Sequence, residues 1–583
     1  MAEPYSVKFE PNIPLPLRDG TTTYVDLFRP DAPGRFPGLL QRTPYDKSSA
    51  PSRGGTLDAI YAAMNGYAVV IQDVRGRYSS EGEFYTFVNE IDDGYDSVEW
   101  VAGQPWCSGK VGMYGVSYVG ATQWLAAKSK PPSLAGIAPG VTASDYHEGW
   151  AWQGGAFELG FNLSWSIGAL GTANWPSLSR NLPLTAQRLD EVIAAKDCLT
   201  DSYLHLPMRD LPALQDGVAP YYYGWLDHPE YDDYWKKVCI EESHAEITVP
   251  AFNFGGWYDI FLGGTIRNYV GMRKHGATDQ ARAGQKLVIG PWIHGGSPTS
   301  MAGDYNFGTR ASALALNLQG SILAYYDHLL KGEDNGVMEE SPVRVFVMGE
   351  NAWRLEDEWP LERAENVRYH LGSGGRANTL NGDGVLSLEA PGDEAADVFL
   401  YNPIDPVPTR GGGLCCDPAF MASGAYDNRC IESRSDVLVY STPPLDRDTE
   451  VTGPITVTLY ASSTAPDTDF TAKLVDVEPC GYARNLTDGI IRARYRTPRT
   501  AASLIEPGKV YEYTIDLWAT SNLFKKGHRI RLEVSSSNFP RFDRNANTGE
   551  PIGTDAGFVS ALQTVYHTRE YPSHVMLPIV PRD

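Results

Sequence analysis

Basic residues are in short supply in this chain. Its 49 lysines and arginines stand against 72 aspartates and glutamates over 583 residues, a formal net charge of −23. That shortage excludes nucleic acid and anionic membrane as partners, because both are held by basic surface; an acidic surface serves solubility instead. Cysteine is scarce too. The seven present (Cys107, Cys198, Cys239, Cys415, Cys416, Cys430 and Cys480) are odd in number and never spaced C-x-x-C. They offer no metal framework, and a disulfide scaffold is not expected in a chain this large. No run of about 18 apolar residues occurs, so no membrane-spanning helix is expected. The opening "MAEPYSVKFEPNIPLPLRDG" has no basic region followed by an apolar core, so no secretory signal is visible. The expectation is a cytoplasmic enzyme, with the sequons at Asn162 and Asn485 as chance matches. Internal repeats and low-complexity tracts are lacking as well.

What is present is a composition of 42% hydrophobic and 21% charged residues, which suits a protein with substantial cores. The first part alternates strands and helices. "LRDGTTTYVDLFRP" reads as a hairpin turning at Asp19-Gly20. "FPGLLQRTPYDK", "GYAVVIQDVRGR" and "LAGIAPGV" carry short apolar runs ending in polar loops, as buried parallel strands do. From residue 145 the pattern gives way to a Trp-, Tyr- and Leu-rich stretch that reads as a helical insertion. The α/β pattern resumes at "ITVPAFNFGGWYDIF" and "QKLVIGPWIHGG". Later, period-two alternation takes over, as in "GPITVTLYASS" and "HRIRLEVSSS", the mark of a β-sandwich or jelly roll. The expected domains are an α/β core over residues 1–144 and 246–350, a cap over 145–245 and an all-β domain over 351–583.

The stretch "KVGMYGVSYVGATQWLAAK" runs from strand to helix through Ser117, with Gly115 two positions before it. A nucleophile elbow has that form, but the usual second glycine is displaced: Val119 stands in its place and Gly120 follows. A nucleophilic serine needs a base and a carboxylate to orient it. On an α/β-hydrolase sheet these follow in the order Ser, acid, His, each after a strand. "GGWYDIF" places Asp259 after one strand and "PWIHGG" places His294 after the next, in the required order. His244, His328 and His528 read as structural. Asp73 precedes the serine and reads as a partner of Arg75 or Arg77. The Tyr118 N–H is the expected first oxyanion donor. The loop "LLQRTPYDK" contributes Tyr45, either as a second donor or as a packing aromatic.

"WCSGKVGMYGVSYVG" resembles the elbow of the cocaine esterase-like (CocE/NonD) hydrolases, relatives of the X-Pro dipeptidyl-peptidases and α-amino-acid ester hydrolases. "RTPYDK", "DVRGRYSSEGEF", "GGWYDIF", "GPWIHGG", "PVPTRGGG", "TDFTAKLVDV" and "SSSNFPRFDRN" extend the resemblance over nearly the whole chain. It implies an α/β-hydrolase core with an inserted helical cap, then a C-terminal jelly roll. It also implies Ser117 as nucleophile, His294 as base, Asp259 as orienter, and a Tyr45 hydroxyl joining the Tyr118 N–H at the oxyanion. No metal or organic cofactor is implied. The aromatic cap segment includes Trp150, Trp152, Phe157, Phe161 and Trp165; the resemblance suggests Trp152, Trp165 and Phe261 for the acyl pocket. The expected reaction is hydrolysis of small-molecule esters with aromatic or apolar acyl groups. Two alternatives stay open. An aminopeptidase or amino-ester hydrolase would use cap carboxylates (Asp145, Glu148, Glu158, Asp232, Asp233) to hold an ammonium group. Separately, the β domain could be a carbohydrate-binding module; the expectation is that it buttresses the core and can help form a homo-oligomer.

Overall fold

The turn at Asp19-Gly20 joins β1 (Val7–Pro16) to β2 (Thr22–Pro30) in antiparallel register, Leu15 opposite Thr23. In the computed structural model, which describes residues 3–294, 299–497 and 499–582, this hairpin edges a ten-stranded sheet. The order continues through β4 (Ala68–Asp73), β3 (Phe36–Thr43), β5 (Cys107–Val116) and β6 (Leu134–Gly140). It passes on to the strands Phe252–Tyr258, Lys286–Ile293, Val343–Val347 and Ala352–Glu356. From β4 to Val343–Val347 all neighbours are parallel. Helices cover both faces, so every residue of β3, β4 and Phe252–Tyr258 is buried, which explains their unbroken apolar runs. The last strand, Ala352–Glu356, pairs antiparallel with Val343–Val347. The core sheet therefore extends to Glu356, past the boundary expected at residue 350.

Parallel strands deliver their C-terminal ends to one edge. Ser117 directly follows β5, Asp259 follows Phe252–Tyr258, His294 follows Lys286–Ile293, and Tyr45 lies two residues beyond β3. The cap enters between β6 and Phe252–Tyr258. It comprises a short hairpin (Trp152–Gln153 with Ala156–Phe157) and a series of short helices, among them a π-helical turn over Trp165–Gly171. Its core is aromatic: Trp150, Trp165, Trp225 and Trp235 are at most 2% exposed.

The C-terminal domain is an eleven-stranded β-sheet with little helix. On Thr449–Ser463, Ile455, Val457, Leu459 and Ala461 share one fully buried face. Arg529–Ser535 departs from simple alternation, because its polar face is buried too. There Arg531 pairs with Glu432 at 2.6 Å and Glu533 faces Lys473 at 3.5 Å. Cys415 and Cys416 are joined to each other; a bridge between neighbours closes no chain loop and so restrains almost nothing in the unfolded state. Among the described residues no helix is long and apolar enough to cross a membrane.

One buried polar cluster ties strands of this domain together. Asp397 accepts from Ser373, Tyr440 and the Ala377 N–H, each at 2.8 Å, and meets His567 Nε2 at 2.9 Å. Glu394 lies 3.2 Å from His567 Nδ1. Burial works against the imidazolium, but the two carboxylates outweigh it and hold the His567 pKa above its ordinary value. A raised folded-state pKa contributes stability that is complete below the unfolded value, about 6.5, and is lost as pH rises through the folded value. The urea midpoint of wild type relative to His567→Gln is therefore expected to fall from about pH 6 to about pH 9. A pH-independent difference between the two would refute the linkage.

Candidate active site

Ser117 sits at φ 62° and ψ −127°, outside the regions a serine adopts freely. Packing forces it there. A Cβ on Gly115, whose φ is +135°, would collide with the Val119 side chain. A Cβ on Gly120 would come within 2.9 Å of Thr142 and 3.0 Å of the Gly140 carbonyl. The second glycine is needed three places after the serine because that residue of the following helix (Tyr118–Lys128) is the one pressed against the end of β6. The elbow's spacing follows from this close approach, and Val119 can stand where the usual pattern has glycine.

The turn brings three distant residues into line. His294 Nε2 lies 3.0 Å from Ser117 Oγ, and His294 Nδ1 lies 2.7 Å from Asp259 Oδ1. Asp259 is 1% exposed. Its loop is braced from the β domain, where Gly413 approaches so closely that a Cβ there would stand 2.9 Å from the Asp259 carbonyl. Nothing in the spacing of "PTRGGG" announces that contact; only the fold does.

The two oxyanion donors expected from the sequence are Tyr118 and Tyr45. The Tyr118 N–H opens the helix, among the N–H groups that have no carbonyl one turn back. Its phenol anchors that turn, donating to Glu90 at 3.0 Å and accepting from the Phe87 N–H at 2.9 Å. Glu90 in turn pairs with buried Arg42 at 2.8 Å. Tyr45 and Ser117 line one cavity of about 580 Å³. Burial pushes the Tyr45 phenol well above its ordinary pKa, against the pull of the Trp165 N–H, the Arg77 charge and the Ser117 hydroxyl. It is therefore protonated, and able to donate, throughout the neutral range. Asp73 pairs with neither arginine of its loop: it holds Lys47, through Nζ at 3.1 Å and the backbone N–H at 2.7 Å. Arg75 instead takes Asp93 and Asp19, both at 2.7 Å.

The aromatic wall differs in one member from the sequence reading. Phe261 stands edge-on to the His294 ring at 5.2 Å. The residue stacked on Phe261 is Trp150, at 4.2 Å and 9°, and Trp150 also meets Trp165 and Phe161 at 5.4 and 5.5 Å. Trp152 packs instead on Phe157 at 4.9 Å and on His147 at 6.2 Å. Trp150 lies within a turn at residues 149–151 and Trp152 opens the strand after it, so neither helix nor strand periodicity tells which of them faces Phe261.

With this geometry in hand, residues 19–296 match the X-Pro dipeptidyl-peptidase (S15 family), and residues 335–576 match the X-Pro dipeptidyl-peptidase C-terminal non-catalytic domain. Cocaine esterase of Rhodococcus sp. (strain MB1 Bresler) is 41% identical over 576 residues, spanning 98% of each chain. The chain belongs to the cocaine esterase-like (CocE/NonD) serine hydrolases. It acts on ester bonds. Among solved structures, an aminopeptidase from a marine sediment Thaumarchaeota archaeon superposes with a TM-score of 0.81 at 26% identity, covering 99% of this chain and 97% of its own. An α-amino-acid ester hydrolase superposes at 0.79 and 25% identity, with the same coverage.

In this CocE/NonD hydrolase the elbow glycines yield a direct test. Gly115→Ala is expected to cost about 1–3 kcal/mol of stability through backbone strain. Displacing Ser117 by even ~1 Å should lower ester turnover about 100-fold or more. Turnover by folded Gly115→Ala, measured beside its urea midpoint, decides this; near-wild-type activity would mean the elbow does not set the serine.

Proposed function

We propose that the protein is a carboxylesterase that cleaves esters of aromatic or apolar acids through a Ser117 acyl-enzyme. The observation that carries this reading is the line from Ser117 Oγ to His294 Nε2 (3.0 Å) and from His294 Nδ1 to Asp259 (2.7 Å). In the scheme, Ser117 attacks the ester carbonyl as His294 takes its proton, and Asp259 holds the imidazole with Nε2 toward the serine. Charge on the tetrahedral oxygen meets the Tyr45 hydroxyl and the Tyr118 N–H. His294 then protonates the departing alcohol, and water repeats the sequence on the acyl-enzyme. The aromatic group of Trp150, Phe161, Trp165 and Phe261, adjoining His294, is the wall best suited to an apolar acyl group.

The amino-terminal alternative needs a carboxylate free to meet an ammonium group. Among the described residues no Asp, Glu, Lys or Arg lines the cavity that holds Ser117 and Tyr45. The cap carboxylates are engaged elsewhere. Asp145 takes Arg499 at 2.7 Å, Glu148 lies 3.9 Å from the same guanidinium, and Asp232 takes His228 at 2.6 Å. Asp233 is on the surface, paired with Lys236 at 3.1 Å. Burial pushes Glu158 up to about 8, even beside Arg541, so at neutral pH it is largely uncharged.

The test is a comparison of aryl acetates, butyrates and benzoates with a Gly-Pro anilide and a phenylglycine ester. Unsubstituted esters are expected to turn over and the amine-bearing substrates to lag, with Ser117→Ala inactive. Trp150→Leu should shift the benzoate-to-acetate ratio of kcat/KM by about 10-fold or more, while Trp152→Ala leaves it unchanged. Faster turnover of the amine-bearing pair would overturn the substrate class. A shifted ratio in Trp152→Ala alone would overturn the pocket assignment.

A further inference from the structure

Behind Tyr45 lies a buried cation that the scheme above does not use. Arg77 is 1% exposed and, among the described residues, donates to three backbone carbonyls: Nε to Pro44 at 2.8 Å, Nη1 to Leu170 at 2.8 Å and Nη2 to Ala169 at 2.9 Å. Its guanidinium lies over Phe84 at 5.1 Å and Tyr78 at 5.4 Å. Among the described residues no carboxylate pairs with it, and burial pulls its pKa below the ordinary guanidinium value. Taking an ion out of water without a counter-ion is costly. An arginine keeps its charge there, where a lysine would tend to shed its proton. Packing alone would be served by an apolar residue of the same volume.

The carbonyls Arg77 holds lie on two segments that have to meet. Pro44 immediately precedes Tyr45, while Ala169 and Leu170 belong to the π-helical turn that begins at Trp165. Where these segments touch, Trp165 Nε1 donates to the Tyr45 hydroxyl oxygen at 2.9 Å. An indole N–H can only donate, so it occupies a lone pair of the phenol and the phenol's own proton must point elsewhere. The cavity shared with Ser117 is open to it.

We propose that Arg77 is a positioning residue for the oxyanion: it clamps the Pro44–Tyr45 turn to the Trp165 turn, so that Trp165 directs the Tyr45 proton toward Ser117, and its unpaired charge favours the negative oxygen formed there. This rests on the ester-hydrolysis reading. Neither Arg77 nor Trp165 needs to touch the substrate's reacting atoms for it to hold. The effect belongs to the charged tetrahedral state and not to the neutral ester, so it should fall on kcat and leave KM almost alone.

The experiment uses the full chain with a 4-nitrophenyl ester and with phenylboronic acid, whose adduct on Ser117 is tetrahedral and negatively charged. Arg77→Met is expected to lower kcat about 100-fold, the scale of losing an oxyanion donor, with KM within about 3-fold. Trp165→Phe, which keeps an aromatic side chain but removes the indole N–H, should lower kcat about 10-fold. Boronate affinity should weaken by the same factor as kcat/KM in each variant. Combining the two changes should cost less than the product of the single effects, because both act through Tyr45. Arg77→Lys, with charge retained but the three-way clamp lost, should fall between wild type and Arg77→Met. Wild-type kcat in Arg77→Met, a loss carried by KM, or boronate affinity that does not follow kcat/KM would each overturn the proposal. Should Arg77→Met fail to show a folding transition, Trp165→Phe and Arg77→Lys carry the same test. Activity retained by Ser117→Ala would instead sink the ester mechanism itself, whatever the Arg77 variants do.

Discussion

A serine held at φ 62° between a strand and a helix does not stay there by its own preference; strain of this kind costs about 1–3 kcal/mol and has to be imposed by the surroundings. Here the imposition is spread over three layers. The Ser117 N–H donates to the Gly140 carbonyl at 2.9 Å, which ties the turn to β6. The glycines at 115 and 120 let backbone and side chains approach where a methyl group would not fit. The Tyr118 phenol, held by Glu90 and the Phe87 N–H, fixes the first turn of the helix from below. One strained residue thus sets two things together: the direction of Oγ, and the place of the neighbouring N–H that, on the proposed scheme, meets the charge Oγ creates.

The β domain enters the same arrangement from the far side. Gly413 supports the Asp259 loop, while Leu414, Cys415 and Met421 join the hydrophobic cluster of the cap. The cap hairpin is pinned to that domain as well. Asp543 accepts the Phe157 N–H at 2.8 Å, the Arg492 N–H donates to the Gly154 carbonyl at 2.8 Å, and Arg541 reaches Gln153 at 3.1 Å. A domain that supplies no residue to the proposed chemistry therefore braces both the Asp259 loop and the cap hairpin.

How much of this could be read along the chain depended on whether a period was available. The parallel strands were legible because burial on both faces leaves unbroken apolar runs, and the order of Ser117, Asp259 and His294 followed from which strand each one terminates. The core's last strand was missed because Ala352–Glu356 carries Trp353, Arg354 and Glu356 on an edge, where one side is free to be polar. Trp150 and Trp152 could not be told apart, since Trp150 lies within a turn and a turn has no repeat. The pairing of Asp73 with Lys47 was hidden for a different reason. Arg75 and Arg77 are nearer in sequence, but Lys47 follows β3, the strand lying beside β4 in the sheet. Sheet order, which decides such pairings, is set by contacts far apart in sequence.

Across Ser117 the electrostatics are arranged as opposites. On the His294 side stands a buried carboxylate, Asp259, suited to an imidazolium. On the proposed scheme the Tyr45 side offers two hydrogen-bond donors, one of them at a helix N-terminus, and the guanidinium of Arg77, which no carboxylate pairs among the described residues, all suited to an oxyanion. Neither half gains much from a neutral ester. On the proposed scheme both gain once Ser117 has attacked, because attack creates a cation on one side and an anion on the other within a few ångströms. A site polarised before the substrate arrives favours that separated pair over the ground state, and it does so without reorganising its own dipoles.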